Sequence, residues 1–222
     1  MKGKFIVIEG TDGSGKGTQV ELLVARLRSE GESVEVLDFP QYGNPSSFFV
    51  EKYLRGEYGT GDEVGPYRGS LFYALDRYDK SFDIKRWLSE GKTIIANRYV
   101  SANMGHQTAK IASKEDRDTY LEWLNHLEYE LCAIPKPDQT IFLFVPPEVG
   151  QKLVDQKAQR EYTQGKKRDI HEADLDHLKK ASEAFFYVAE KYDWITINCT
   201  ENNEMLSREA IHERIVASVK SI

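Results

Sequence analysis

Residues Glu9 to Gln19 read Glu-Gly-Thr-Asp-Gly-Ser-Gly-Lys-Gly-Thr-Gln, directly after the apolar run Phe5-Ile6-Val7-Ile8. A β-branched run, a glycine-rich loop and a helical pattern in that order define a strand–loop–helix unit that cradles phosphate. Gly10, Gly13 and Gly15 permit close backbone approaches that a Cβ would forbid, so successive N–H groups can point at phosphate oxygens. Lys16 adds a positive charge. The segment Thr18 to Leu27 reads as a helix with Val20, Leu23, Val24 and Leu27 on one face, its positive N-terminal end towards the phosphates. The position after the lysine, where Ser or Thr commonly ligates Mg²⁺, holds Gly17, and the hydroxyl moves to Thr18.

Further short runs rich in β-branched residues predict strands at Lys4–Glu9, Ser33–Phe39, Thr93–Asn97, Thr140–Val145 and Ile195–Cys199. Between them Leu71, Leu75, Tyr78 and Phe82 recur at helical spacing, as do Tyr120, Leu124, Leu127 and Leu131, and a last helix is expected from about Asn203 to Ile222. Alternating strands and helices imply an α/β chain with a parallel sheet covered on both faces, and 222 residues suit one domain spanning 1–222.

Composition narrows the function classes. A formal charge of −6 lacks the basic footprint of a nucleic-acid-binding protein. Cys132 and Cys199 lie far apart in apolar surroundings and read as reduced core thiols, which suits the cytosol. The N-terminus enters a strand without a signal-peptide pattern, and no apolar run approaches the roughly 20 residues that span a bilayer. The expectation is a cytoplasmic enzyme with neither membrane nor nucleic acid as partner.

Ligands of parallel sheets gather outside the carboxyl ends of the strands. The first strand ends in the phosphate loop, the second in Asp38-Phe39-Pro40-Gln41-Tyr42, the third in Asn97-Arg98-Tyr99. Arg98 is either a solvated strand end or a second phosphate ligand facing Lys16, and its planar fork suits the latter.

Several motifs in order now carry a resemblance. They are Glu9-Gly10-Thr11-Asp12-Gly13-Ser14-Gly15-Lys16, Phe39-Pro40-Gln41-Tyr42-Gly43, Leu71-Phe72-Tyr73-Ala74-Leu75-Asp76-Arg77, Asn97-Arg98-Tyr99-Val100-Ser101-Ala102-Asn103, Pro135-Lys136-Pro137-Asp138 and Arg168-Asp169-Ile170-His171-Glu172. Over essentially its whole length the chain resembles the thymidylate kinases, and Gly-Lys-Gly-Thr is the form that adenylate-kinase-like enzymes carry. The resemblance implies a three-layer P-loop kinase fold with a five-stranded parallel sheet and a small lid. It also implies phosphorylation of dTMP to dTDP by ATP with Mg²⁺, in dTTP synthesis, and a homodimer.

Residue roles follow from the resemblance. ATP phosphates would lie on Gly10, Thr11, Asp12, Gly13, Ser14, Gly15, Lys16, Gly17 and Thr18. The dTMP phosphate would be held by Arg98, with Tyr42 and a cis turn at Phe39-Pro40. Phe72 looks like the platform for thymine, although it sits one residue off the Leu71 stripe and a core position is the competing reading. Arg77 matches the arginine that reaches the base, and Asn103 the amide that reads its edge. His106 stands where relatives often have Tyr near the sugar. Gln107 either contacts the base or occupies an exposed helical position. For Asp12 the resemblance implies dTMP binding through the 3′-hydroxyl, contact with metal-bound water, or both; Glu172 is the second implied metal-site acid, and Asn97 replaces an aspartate of most relatives.

Residues 151–168 form the implied lid, with Lys152, Lys157, Arg160, Lys166, Lys167 and Arg168 against Asp155 and Glu161, and a turn signal at Gln164-Gly165. Gly13 stands where some relatives place a catalytic arginine, and the resemblance implies that a chain lacking the loop arginine takes one from the lid: Arg160 first, Arg168 second. Lys16, Arg98 and that arginine would neutralise the transferring phosphoryl group. Two rival readings remain: a kinase for another nucleoside monophosphate or a deoxynucleoside on the same fold, and a nucleotide-binding module without transfer activity.

Overall fold

A computed structural model describes residues 3–153 and 175–220. Phe5, Ile6, Val7 and Ile8 are wholly buried, as a strand covered on both faces requires. They belong to β1 (Lys4–Gly10), which is followed by α1 (Lys16–Ser29), β2 (Val34–Asp38), α2 (Phe48–Leu54), α3 (Gly61–Ser89) and β3 (Thr93–Asn97). Then come α4 (Val100–Thr108), α5 (Lys114–Asn125), a π turn (His126–Leu131), β4 (Gln139–Phe144) and α6 over 147–153. The chain resumes with α7 (Leu175–Lys191), β5 (Ile195–Asn198), a small hairpin of β6 (Thr200–Glu201) and β7 (Glu204–Met205), and α8 (Arg208–Val219).

The main sheet has the order β2-β3-β1-β4-β5, and every pairing in it is parallel. Side chains of a strand alternate between faces. Ile6 and Ile8 accordingly pack with Val20, Leu23 and Val24 of α1 and Ile211 and Ile215 of α8. Phe5 and Val7 pack on the other side with Ile84 of α3, Val100 and Met104 of α4 and Tyr120 of α5. Three layers result. β1 and β3 are neighbours, yet the helices that follow them lie on opposite faces, so a crevice opens between their carboxyl ends.

The expected strands are present within a residue of their predicted bounds, and α1 starts two residues early, at Lys16. Leu71, Leu75, Tyr78 and Phe82 are helical, as their spacing predicts, and face outward, from 41% to 59% exposed, while α3 buries Ala74, Arg77, Ser81 and Ile84. Tyr120 and Leu124 are buried, but Leu131 is 67% exposed, since the wider π turn changes the period and carries Glu128 inward. The last helix begins at Arg208, not Asn203. Asn202 and Asn203 adopt positive φ and form the hairpin turn, and the Ser207 hydroxyl then accepts from the Ala210 N–H to cap α8.

Of the expected lid, Gln151, Lys152 and Leu153 complete α6, and the rest of it through Arg168 lies outside the described residues. Cys132 and Cys199 are unbridged, and burial pushes the Cys199 thiol up to about 12. Among the described residues no helix is long and apolar enough to cross a membrane.

Candidate active site

The phosphate loop is built by the handover from β1 to α1. Gly10 ends the strand so close to the Leu143 carbonyl and the Ser14 side chain that a Cβ would lie 2.7 and 2.6 Å from them. Gly13 and Gly15 take positive φ, Gly15 directly ahead of α1. Lys16, nearly buried, folds back and donates from Nζ to the carbonyl oxygens of Gly10 and Thr11, both at 2.8 Å. This arch is what a lysine needs to meet a phosphate across the loop.

Arg98 leaves β3 at φ 64°, in the left-handed region, which directs its side chain into the crevice rather than along the strand. One arm donates to the Asp12 carboxylate and the other to Nε2 of His106 at 2.8 Å. Arginine has no acceptor, so the His106 proton sits on Nδ1. Beneath them Glu9, fully buried, accepts from the Gly10 N–H at 2.9 Å and the Ser101 hydroxyl at 2.7 Å, with Nη1 of Arg98 3.9 Å away. Burial works against the Arg98 charge, but the Asp12 and Glu9 carboxylates outweigh it and raise its pKa. The two arginine and lysine cations thus share one crevice with a fixed set of carboxylates.

This crevice is part of a cavity of about 930 Å³. Asp12 through Thr18 line it at one end; Phe39, Tyr42, Arg77, Arg98, Asn103, His106 and Gln107 line it towards α3 and α4. The thymidylate kinase family model matches residues 8–211, a span that contains every one of these residues. The chain belongs to the thymidylate kinase family.

Thymidylate kinase of Mycobacterium tuberculosis is 30% identical over 187 residues, covering 83% of this chain and 85% of that protein. A probable thymidylate kinase of Pyrococcus abyssi is 29% identical over 221 residues, covering 99% and 97%. A solved thymidylate kinase structure from Candida albicans superposes with a TM-score of 0.75 at 21% identity, over 99% of this chain and 92% of that one, and supports the shared P-loop kinase fold. Membership makes this chain an enzyme of the nucleoside monophosphate kinase class.

Within that family fold, most residues singled out in the sequence converge on the cavity. The Phe39–Pro40 bond is cis, as expected. Phe72 is not among the lining residues. It packs with Phe49, Tyr53 and Tyr58, ring centroids 6.1, 5.7 and 5.2 Å away. The next residue, Tyr73, lines the cavity instead. Arg77 reaches it from inside the protein, paired with Glu128. Asn103 is buried and donates to the Ser70 carbonyl at 3.3 Å, while the Gln107 Oε1 is buried with no partner among the described residues. Arg160, Arg168 and Glu172 lie outside the described residues.

Sequence reasoning assigned no role to three further acids. Glu9 braces the loop as described. Asp76, 1% exposed, accepts from the Gln41 N–H at 2.9 Å and the Ser46 hydroxyl at 2.6 Å, fixing to α3 the turn that carries Tyr42. Asp38, at the end of β2, accepts from the Asn97 amide at 2.9 Å. Desolvation pushes the Asp38 carboxyl up, against the Asn97 hydrogen bond and the Arg98 and Lys16 charges. Its place at a strand end beside the crevice was the available signal.

Among the described residues no group of three or more His, Cys, Asp or Glu could hold a metal by itself. Mg²⁺ commonly takes one or two carboxylates with substrate phosphates and waters. Asp12, Asp38, the Thr18 hydroxyl and the Oδ1 of Asn97, which has no partner among the described residues, suit that kind of site. Asn97 costs one negative charge relative to an aspartate there, and Asp38 beside it supplies one.

Proposed function

We propose that this chain transfers the γ-phosphoryl group of ATP to dTMP, giving ADP and dTDP, and serves dTTP synthesis. The carrying observation is that Arg98 reaches Asp12 of the phosphate loop with one arm and His106 of α4 with the other, inside a cavity lined also by Lys16, Tyr73, Asn103 and Gln107. A nucleoside monophosphate laid with its base against Tyr73 and its phosphate on Arg98 points that phosphate at the loop. The second pKa of the acceptor phosphate is about 6, so near neutrality it is the dianion and its oxygen attacks without a side-chain base.

Lys16 and Arg98 then offset charge on the transferring group and hold donor and acceptor in line. Asp12 and His106 fix the Arg98 fork before substrate arrives. When bound, Mg²⁺ would supply further charge neutralisation and orientation. Asp12 and Asp38 would hold it, with Glu172 carried over from the resemblance. The catalytic arginine that Gly13 leaves unfilled is assigned to Arg160 of the lid, with Arg168 next, and closure over the nucleotides excludes water.

Residues 1–222 act as one catalytic domain in this reading, in the cytoplasm, with nucleotides rather than nucleic acid or membrane as partners. The outward stripe of Leu71, Leu75, Tyr78 and Phe82 is the surface for a second copy. Release of ADP on mixing the protein with ATP, Mg²⁺ and dTMP tests the reaction, with dTDP identified by chromatography. Binding of both nucleotides without dTDP would leave a non-catalytic module.

A further inference from the structure

α3 and the π turn meet at a buried ion pair. Arg77 is 2% exposed and Glu128 not at all. Nε and Nη2 of Arg77 donate to the Glu128 carboxylate, and Nη1 donates to the Tyr99 carbonyl oxygen at 3.2 Å. A guanidinium carries five N–H donors. These contacts use Nε and one hydrogen of each Nη, so Nη1 and Nη2 each keep one, and Arg77 lines the nucleotide cavity.

The local fold runs against ordinary preference. A regular helix through Tyr120, Leu124, Leu127 and Leu131 would bury Leu131, yet the π turn buries Glu128 and leaves Leu131 67% exposed. Taking a carboxylate out of water is costly, and an apolar pair of similar volume is often as stable or more so. Stability therefore gives no reason for the exchange, whereas π turns recur at functional sites.

We propose that Glu128 is a positioning residue for base recognition: it clamps one edge of the Arg77 fork so that the remaining N–H donors meet an acceptor on the base. The ligand chemistry this selects is a pyrimidine with an oxygen at the 4-position. A 4-amino group in the same place sets donor against donor and leaves both unsatisfied. The inference rests on the reading of the cavity as the acceptor-nucleotide site.

Glu128→Gln keeps the volume and one acceptor while removing the charge. In the full chain, the steady-state constants for dTMP and for dCMP are measured together with Tm. The expected result is a rise of about tenfold in KM for dTMP, with KM moving more than kcat, and a fall of about tenfold in the dTMP over dCMP ratio of kcat/KM. A lower Tm with KM and that ratio unchanged, assayed well below Tm, overturns the proposal and leaves a structural ion pair. The double variant Arg77→Met/Glu128→Leu covers loss of fold, because it replaces the pair by apolar side chains. It is expected to fold and to lose the ratio, and a folded double variant that keeps the ratio also overturns the proposal. Failure of the underlying reading looks different: the unmodified chain itself then shows no preference for dTMP over dCMP.

Discussion

Arg98 donates to the Asp12 carboxylate, so the acid within the phosphate loop is tied to the arginine at the end of β3. An aspartate among phosphates is repulsive unless a cation accompanies it, and here the cation is already in place. The same arginine is held on its other side by His106, which leaves its fork little freedom. Replacing Arg98 by Ala is expected to lower kcat by about 10²–10³, the scale of losing one preorganised charge contact. Lysine should restore little, being a point charge without the fork. Steady-state kinetics with ATP affinity measured alongside check this, and a kcat within threefold of the unmodified enzyme would remove Arg98 from the reaction.

Tyr73 and Phe72 separate by their effects. Tyr73→Ala should raise KM for dTMP by the equivalent of about 1–3 kcal/mol, the measured range for base–aromatic stacking. Phe72→Ala should instead lower Tm, because its ring packs with Phe49, Tyr53 and Tyr58. The reverse pattern in kinetics and thermal melts would restore Phe72 as the platform.

The apolar stripe on α3 carries the dimer proposal. Leu75 and Phe82 are 50% and 59% exposed, so a charge at either position costs the monomer little. Leu75→Glu and Phe82→Glu should each halve the mass seen by light scattering while leaving Tm in dilute solution within a few degrees. An unmodified protein that runs as a monomer at all concentrations contradicts the assignment.

Arg160→Ala should lower turnover far more than it weakens dTMP binding, since a lid arginine meets the phosphoryl group chiefly in the transition state. Unchanged turnover moves the role to Arg168 or to another lid cation.

The sheet was legible because runs such as Phe5-Ile6-Val7-Ile8 have a single use in an α/β chain, and the cavity because its residues follow the ends of those strands. Glu128 was not legible. A π turn leaves no mark in apolar periodicity, which groups the exposed Leu131 with the buried Tyr120 and Leu124. Phe72 and Tyr73 could not be told apart for a related reason: α3 carries apolar or aromatic residues on both its faces, so periodicity could not phase it. Asp38 and Asp76 act through hydrogen bonds to Asn97 and to the Gln41 turn, partners that only the folded chain brings near.

The most direct measurement is kcat/KM for dTMP, dUMP, dCMP, AMP and thymidine as acceptors under one set of ATP and Mg²⁺ conditions. The expected result is dTDP formed in equal amount with ADP and dTMP preferred over every other acceptor, dUMP following by about 10–200-fold for want of one methyl group. A higher kcat/KM for AMP, dCMP or thymidine, or no transfer to dTMP, would contradict it.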